Sequence, residues 1–230
     1  MKVLITDAMA PEAVDLLKQN GYEVTLDEMD HDTLLEKISD YDALMVRGRT
    51  KVIKDIIEAG AQGKLKVIGR AGIGVDNVDL ETASQHQIKV VNAPTGATAS
   101  VAELALSLML SLARHTIKAD KTMKNNEWAK KQLKGTELKE KTLGLIGTGN
   151  IGQLTGQLAA AFGMTIIGFD PFISKEDMKK QGIIKKDTLE DLMKSSDYIS
   201  LHLPHTPKTH HIVNKQMISL MKPTSYLINC

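Results

Sequence analysis

Short apolar runs of four or five residues alternate with helix-length segments along this chain, and that alternation restricts it to helices packed on parallel sheets. The first series has runs at 3–6, 23–26, 43–46, 66–70 and 88–91, with helix-like stretches such as 11–20 and 33–38 between them. Pro11 suits a first helical turn, and Gly21 suits the left-handed position just past a helix end. A second series follows: strand-like 142–146, helix-like 151–162, strand-like 165–169, helix-like 188–195, and strand-like 198–202 and 225–229. Two α/β domains are therefore expected, 1–97 and 98–230. Between the series, Ser100 and Glu103 have capping-box spacing, and Leu104, Leu108 and Leu112 fall on one face. One long helix is predicted from Ser100 to about Lys124, followed by a polar arm at 123–141 carrying the lone Trp128. The last strand-like run stops one residue before the chain does, so the second domain is expected to be incomplete at its C-terminal side.

Composition narrows the partners. Lys and Arg total 29 against 28 Asp and Glu, and only 3% of residues are aromatic. That balance supplies neither the field nor the stacking surface for nucleic acid, and it gives no attraction to acidic membranes. Cys230 is the only cysteine, which rules out an intrachain disulfide and suits a reducing compartment; the cytoplasm is expected. The opening residues form a strand rather than a signal peptide. The uncharged stretch 142–169 is interrupted by glycines and by Thr148, Asn150 and Gln153, which argues against a membrane span.

Gly147-Thr148-Gly149-Asn150-Ile151-Gly152 follows an apolar strand and opens an apolar helix, the context in which GxGxxG is informative. Gly147 is expected to make the tight turn, Gly149 to admit a pyrophosphate, and Gly152 to let helix and strand approach. The helix N-terminus would supply amides and positive dipole to the phosphates. Asp170, eighteen residues past Gly152 at the end of the next strand, is placed to accept from ribose hydroxyls. Pro171 follows it, with no arginine for a 2′-phosphate; this favours NAD over NADP, with Lys175 the cation nearby.

The first domain carries an anion signal. Arg47, Arg49 and Lys51 alternate after the strand at 43–46, so an extended backbone would put three cations on one face. They could hold a small anion or merely blunt an exposed sheet edge. Gly72 and Gly74, after the strand at 66–70, could turn successive amides toward a carboxylate as in an anion-binding nest. His202, His205, His210 and His211 cluster, but no Cys, Asp or Glu interleaves them and Pro204 and Pro207 make the segment a loop, so no metal is expected.

Arg70-Ala71-Gly72-Ile73-Gly74-Val75-Asp76-Asn77-Val78-Asp79 resembles the substrate loop of NAD-dependent D-2-hydroxyacid dehydrogenases, most closely their phosphoglycerate dehydrogenase branch. Val46-Arg47, Thr50-Lys51-Val52, Asn92-Ala93-Pro94, Leu112-Ala113-Arg114, Gly135-Thr136-Glu137-Leu138, Asp170-Pro171 and His202-Leu203-Pro204 extend the similarity over nearly all the chain. The resemblance implies a flavodoxin-like substrate domain and a Rossmann NAD-binding domain, both incomplete at the C-terminal side. It gives the substrate phosphate or carboxylate to Arg47 and the amides of Gly72, Ile73 and Gly74, and it sends Arg114 to a neighbouring subunit's site. Asn150 and Ile151 would meet the pyrophosphate, Asp170 the ribose, and Ile73, Leu203, Pro204 and Cys230 the rest of the cofactor. The long helix and its arm would form a homodimer interface.

Two positions depart from the pattern: Gly48 stands where serine is common, and Leu203 where a small polar or β-branched residue is common. The implied reaction is D-3-phosphoglycerate to 3-phosphohydroxypyruvate, the entry to serine biosynthesis. A glyoxylate or hydroxypyruvate reductase and a non-catalytic NAD-sensing protein are the alternatives. The family's catalytic arginine, glutamate and histidine are expected beyond Cys230, so these 230 residues are expected to have little or no dehydrogenase activity by themselves.

Overall fold

In the computed structural model, which describes residues 1–230, the runs of the first series become Lys2–Ile5 (β1), Glu23–Leu26 (β2), Ala43–Val46 (β3), Val67–Arg70 (β4) and Lys89–Asn92 (β5). Helices Pro11–Gln19 (α1), His31–Lys37 (α2), Lys54–Gln62 (α3) and Leu80–Gln85 (α4) alternate with them. Every pairing is parallel and the order is β2-β1-β3-β4-β5, the flavodoxin-like winding. Side-chain alternation builds a core on each face of this sheet. Leu4, Leu44, Val46 and Ile68 pack with Leu34, Ile38, Ile56 and Ile57, while Val3, Ile5 and Ala43 pack with Val14. Asp30 and Asp79 cap α2 and α4 by accepting from the amides of Thr33 and Thr82. This first compact unit is Met1–Ala97.

The second unit, Thr98–Cys230, contains Thr98–Arg114 (α5), Thr116–Lys124 (α6), Thr142–Ile146 (β6), Asn150–Ala161 (α7), Thr165–Phe169 (β7), Lys175–Lys180 (α8), Ile184–Lys185 (β8), Leu189–Ser195 (α9), Tyr198–Leu201 (β9), Lys215–Ser219 (α10) and Tyr226–Asn229 (β10). Its strands are also all parallel, in the order β10-β9-β6-β7-β8. That is five strands of Rossmann winding, with the reversal between β6 and β9. Leu143 and Leu145 of β6 face Met109, Ala113 and Ala159 from α5 and α7; Ile146 and Ile199 face Leu192 and Met193 on the other side. No helix is long and apolar enough to cross a membrane.

The expected single helix from Ser100 to Lys124 is two helices. It begins at Thr98, so Ser100 lies within the first turn rather than at the cap. It breaks at His115, whose φ of 55° is left-handed. The cause is competition for a carbonyl: Thr136 N–H donates to Ala113 O at 2.8 Å, the acceptor that a continuing helix would offer to Ile117. Gly135 permits this approach, since a Cβ there would lie 2.3 Å from the same oxygen.

His202 extends the β9 ladder, its amide donating to Ile146 O at 2.8 Å, and its imidazole pairs with Ser200 Oγ at 2.9 Å. Burial pushes its pKa from the ordinary 6.5 down to about 4, so the ring is neutral in the folded chain at neutral pH.

Two stability measurements test this architecture. Leu44→Ala, at a position with no exposure, should cost about 2–5 kcal/mol in urea unfolding, while Leu16→Ala on the outside of α1 should stay within about 0.5 kcal/mol. For His202, the unfolded chain takes up a proton near pH 6.5 that the folded chain refuses until about pH 4, so stability should fall as pH drops across that window. Asp7 and Asp197, held below their ordinary 3.8, lose their contributions only at still lower pH. His202→Gln should flatten the urea midpoint between pH 6.5 and 4; an unchanged slope would show that the proton is taken up elsewhere.

Candidate dinucleotide and anion sites

In a parallel sheet all strands end at one edge, and here the ends are level. Ile146 is in register with Phe169 and with Leu201, and Leu201 with Asn229. The residues that follow, Gly147, Asp170, His202 and Cys230, therefore leave the second sheet in one row. Gly147 adopts φ +89°, and a Cβ there would lie 2.4 Å from the His202 carbonyl oxygen and 3.3 Å from Leu203 Cβ. Only glycine fits that turn. Around Gly149, by contrast, nothing lies within 4 Å of where a Cβ would stand.

The helix after this turn is built to receive an anion. Gly149 caps α7 with no side-chain hydrogen bond, unlike Ser174, Thr188 and Asn214, which cap α8, α9 and α10. The first amides of α7, including those of Asn150 and Ile151, are thus left without a capping acceptor at the positive end of a twelve-residue dipole. Asp170 is oriented by the turn itself: Oδ2 accepts from Thr148 N at 3.0 Å and Oδ1 from Phe172 N at 3.0 Å. Oδ1, with that one donor, keeps acceptor capacity for a ribose hydroxyl. These features fit a dinucleotide. Gly152 lets the start of α7 approach the strand ends, a Cβ there lying 2.3 Å from the Gly147 carbonyl oxygen and 3.4 Å from His202 Cβ, and Gly156 continues the close helix-to-sheet contact, 3.1 Å from Leu145. Pro204 is exposed beyond Leu203, and its carbonyl accepts from Thr209 Oγ1 at 2.6 Å.

The first unit departs from the extended basic face. Residues 47–51 form no strand; 48–50 bend, so the extended backbone that would align Arg47, Arg49 and Lys51 is absent. Arg49 is committed to the protein, pairing with the buried Asp7 carboxylate at 3.3 Å and donating to the carbonyls of Thr6 and Met29. Arg47 is exposed, with a single contact to Ala8 O at 3.3 Å. Gly72 and Gly74 are not left-handed, so no nest forms, and the Gly72 amide donates to Arg70 O at 2.8 Å. The Ile73 and Gly74 amides donate to no backbone carbonyl. Arg114 ends α5, exposed and without an ion-pair partner in the chain.

Sequence reasoning missed a buried polar group around the bend. Asp7, Thr6, Thr50 and Asn77 are all buried at the C-terminal edge of the first sheet. Burial alone would raise the Asp7 pKa, but hydrogen bonds from Thr50 and the Arg47 amide, with the Arg49 charge, hold it below the usual carboxylate range. The signal was present: Asp7 closes an apolar strand, where an acid is buried only with partners. Arg70 is a second such residue, its side chain over Gly72 and its buried Nε without a partner. The histidines pair with one another, His205 Nε2 to His210 Nδ1 at 3.2 Å and the His210 and His211 rings 3.7 Å apart. No three His, Cys, Asp or Glu side chains are placed to hold a metal.

Residues 106–230 match the model of the D-isomer specific 2-hydroxyacid dehydrogenase NAD binding domain. The chain is 47% identical over 230 residues to a D-3-phosphoglycerate dehydrogenase of Methanocaldococcus jannaschii, covering all of this chain and 44% of that relative. It is 46% identical to a hydroxypyruvate reductase of Thermotoga maritima, covering 99% of this chain and 73% of that relative. Among solved structures, a cofactor(NAD+)-bound 3-phosphoglycerate dehydrogenase from Entamoeba histolytica superposes with a TM-score of 0.82 at 32% identity, over all of this chain and 71% of that one. The chain thus spans less than half the length of the first of these relatives and about three quarters of the other two. With a glycine turn, an uncapped helix and a carboxylate already at one sheet edge, this chain belongs to the D-isomer specific 2-hydroxyacid dehydrogenase family, and residues 106–230 lie in its NAD-binding domain.

Proposed function

We propose that residues 1–97 bind D-3-phosphoglycerate and residues 98–230 bind NAD, for oxidation of the substrate to 3-phosphohydroxypyruvate at the entry to serine biosynthesis. The observation that carries the substrate class is the exposed Arg47 guanidinium at the same sheet edge as the unclaimed Ile73 and Gly74 amides. A guanidinium offers paired donors to a phosphate or carboxylate, and free amides suit a second anionic group. Gly72 lends the loop its close backbone approach rather than its amide.

On the cofactor side, the amides of Asn150 and Ile151 take the pyrophosphate, Gly149 keeps a side chain out of its way, Gly147 and Gly152 let the turn and the helix start close up, and Asp170 takes the ribose. Ile73, Leu203, Pro204 and Cys230 complete the contacts. Bound NAD supplies the hydride acceptor. The residues of this chain bind and orient the two ligands. The exposed thiol of Cys230 suits a reducing compartment, the cytoplasm.

One observation favours hydroxypyruvate as a second reading. Arg49 is held by Asp7, so only Arg47 of that pair is free to meet a phosphate. Equilibrium titration of the 230-residue chain, with NAD present, separates the two. D-3-phosphoglycerate should bind about ten-fold more tightly than unphosphorylated D-glycerate, a difference of about 1.4 kcal/mol, and Arg47→Ala should erase the gap. Equal affinities in the unmodified chain would move the reading to hydroxypyruvate.

We also propose a homodimer through α5. Leu104, Leu108 and Leu112 repeat every fourth residue yet are 49%, 36% and 38% exposed, and Ile117, Met123 and Trp128 are exposed further along the chain. A leucine stripe this open on one helix is a protein-contact signature, and it leads to Arg114, which such a contact would carry to the neighbouring subunit's substrate. In sedimentation velocity the chain should run as a dimer, and Leu108→Glu with Leu112→Glu should run as a monomer that still binds NAD.

A further inference from the structure

The bend at 47–50 is gripped from both sides by two buried residues. Asp7 takes its amides: Oδ2 accepts from Arg47 N at 2.6 Å and Thr50 N at 3.3 Å, and Oδ1 accepts from Thr50 Oγ1 at 2.6 Å. Asn77 takes its carbonyls, with Nδ2 donating to Arg47 O at 2.9 Å and Thr50 O at 2.7 Å. Both ends of the bend are thus fixed through the backbone, at residues only 4% and 3% exposed, where water cannot substitute for a lost partner.

Asn77 is itself anchored. Its carbonyl accepts from Val52 N at 2.8 Å, and it closes the loop that carries Ile73 and Gly74. It is therefore a strut between the Arg47 bend and the glycine loop. Its Oδ1 is buried without a partner. A side chain kept only to fill space would not leave a buried acceptor unmet, since that costs stability. What only the amide supplies is two donors on one nitrogen, aimed at two carbonyls of the same bend.

We propose that Asp7 and Asn77 are positioning residues for substrate recognition: together they set the backbone from which Arg47 meets the anionic end of the substrate and fix its distance from the Ile73 and Gly74 amides. This rests on Arg47 being the substrate's anion contact. Without the clamp Arg47 keeps its charge but loses its fixed base, so affinity for a bidentate anion falls although no group touching the ligand has changed. Asp7 needs its charge for this, because it accepts from two amides, a hydroxyl and a guanidinium at once.

The test compares D-3-phosphoglycerate affinity in the unmodified 230-residue chain, Arg47→Ala, Asn77→Asp, and the double variant, with NAD affinity measured alongside to check the second unit. Asn77→Asp keeps the size and removes the donors. It should weaken D-3-phosphoglycerate by about ten-fold, leave NAD affinity unchanged, and add nothing on top of Arg47→Ala, the non-additivity expected when one residue acts through the other. A role confined to stability would multiply with Arg47→Ala or leave the folded protein's affinity untouched. A folded Asn77→Asp chain with unmodified affinity, beside an Arg47→Ala chain that has lost it, overturns the clamp alone. Should Arg47→Ala bind normally, the reading of Arg47 falls and takes the clamp with it. If Asn77→Asp does not fold, Asp7→Asn is judged by the same criteria. Amide exchange in the unmodified chain decides independently: Arg47 and Thr50 amides should exchange as slowly as those of β3, and rapid exchange at either overturns the proposal.

Discussion

Parallel pairing is the constraint on which both halves of this chain depend. A strand that must be followed by a parallel neighbour cannot turn back at its end, so the chain crosses through a helix and returns to the starting edge. All carboxyl ends then gather on one side, and with level registers the first residue after each strand stands beside its counterparts. Gly147, Asp170 and His202 are neighbours for this reason, although 55 positions separate the first from the last. In the first unit the same rule brings Asp7, Arg47 and Arg70 together.

The two edges solve opposite electrostatic problems. The cofactor edge leaves donors unmet: α7 begins without a capping side chain, and its amides wait for an anion. The edge of the first sheet holds its buried carboxylate and one of its arginines internally, leaving the Arg47 guanidinium and the Ile73 and Gly74 amides unclaimed. Arg49 illustrates the difference. Its guanidinium neutralises a buried carboxylate and belongs to the scaffold, while Arg47, two residues away, has one weak carbonyl contact. Two identical side chains one glycine apart therefore have different tasks, decided by whether the Asp7 carboxylate pairs with their guanidinium.

What was legible in the sequence follows from the range of each interaction. Strand and helix identity depends on neighbours within a turn or a pleat, and the alternating runs revealed it. The glycine turn and Asp170 were legible because a short strand–turn–helix–strand unit carries its geometry locally. The break at His115 was not, since its cause is an amide at Thr136, twenty-one residues further on, competing for a helix carbonyl. The clamp at 47–50 was equally hidden, its partners lying 40–43 and 27–30 positions away. Spacing suggested an extended segment with Arg47, Arg49 and Lys51 facing one way; two long-range partners hold it as a bend. Winding order came from family resemblance, because apolar runs carry no record of which strand pairs with which.

The bond from Thr148 N to Asp170 carries a consequence for how cofactor preference could drift. The acid that would discriminate against a 2′-phosphate is also the acceptor that steadies the glycine turn, so selectivity and loop rigidity share one side chain. A lineage moving toward a phosphorylated cofactor cannot simply discard the carboxylate; it must first find the Thr148 amide another acceptor. Preference at this edge is therefore guarded by a structural debt as well as by charge, and a switch would have to proceed through paired changes on β7 and the turn.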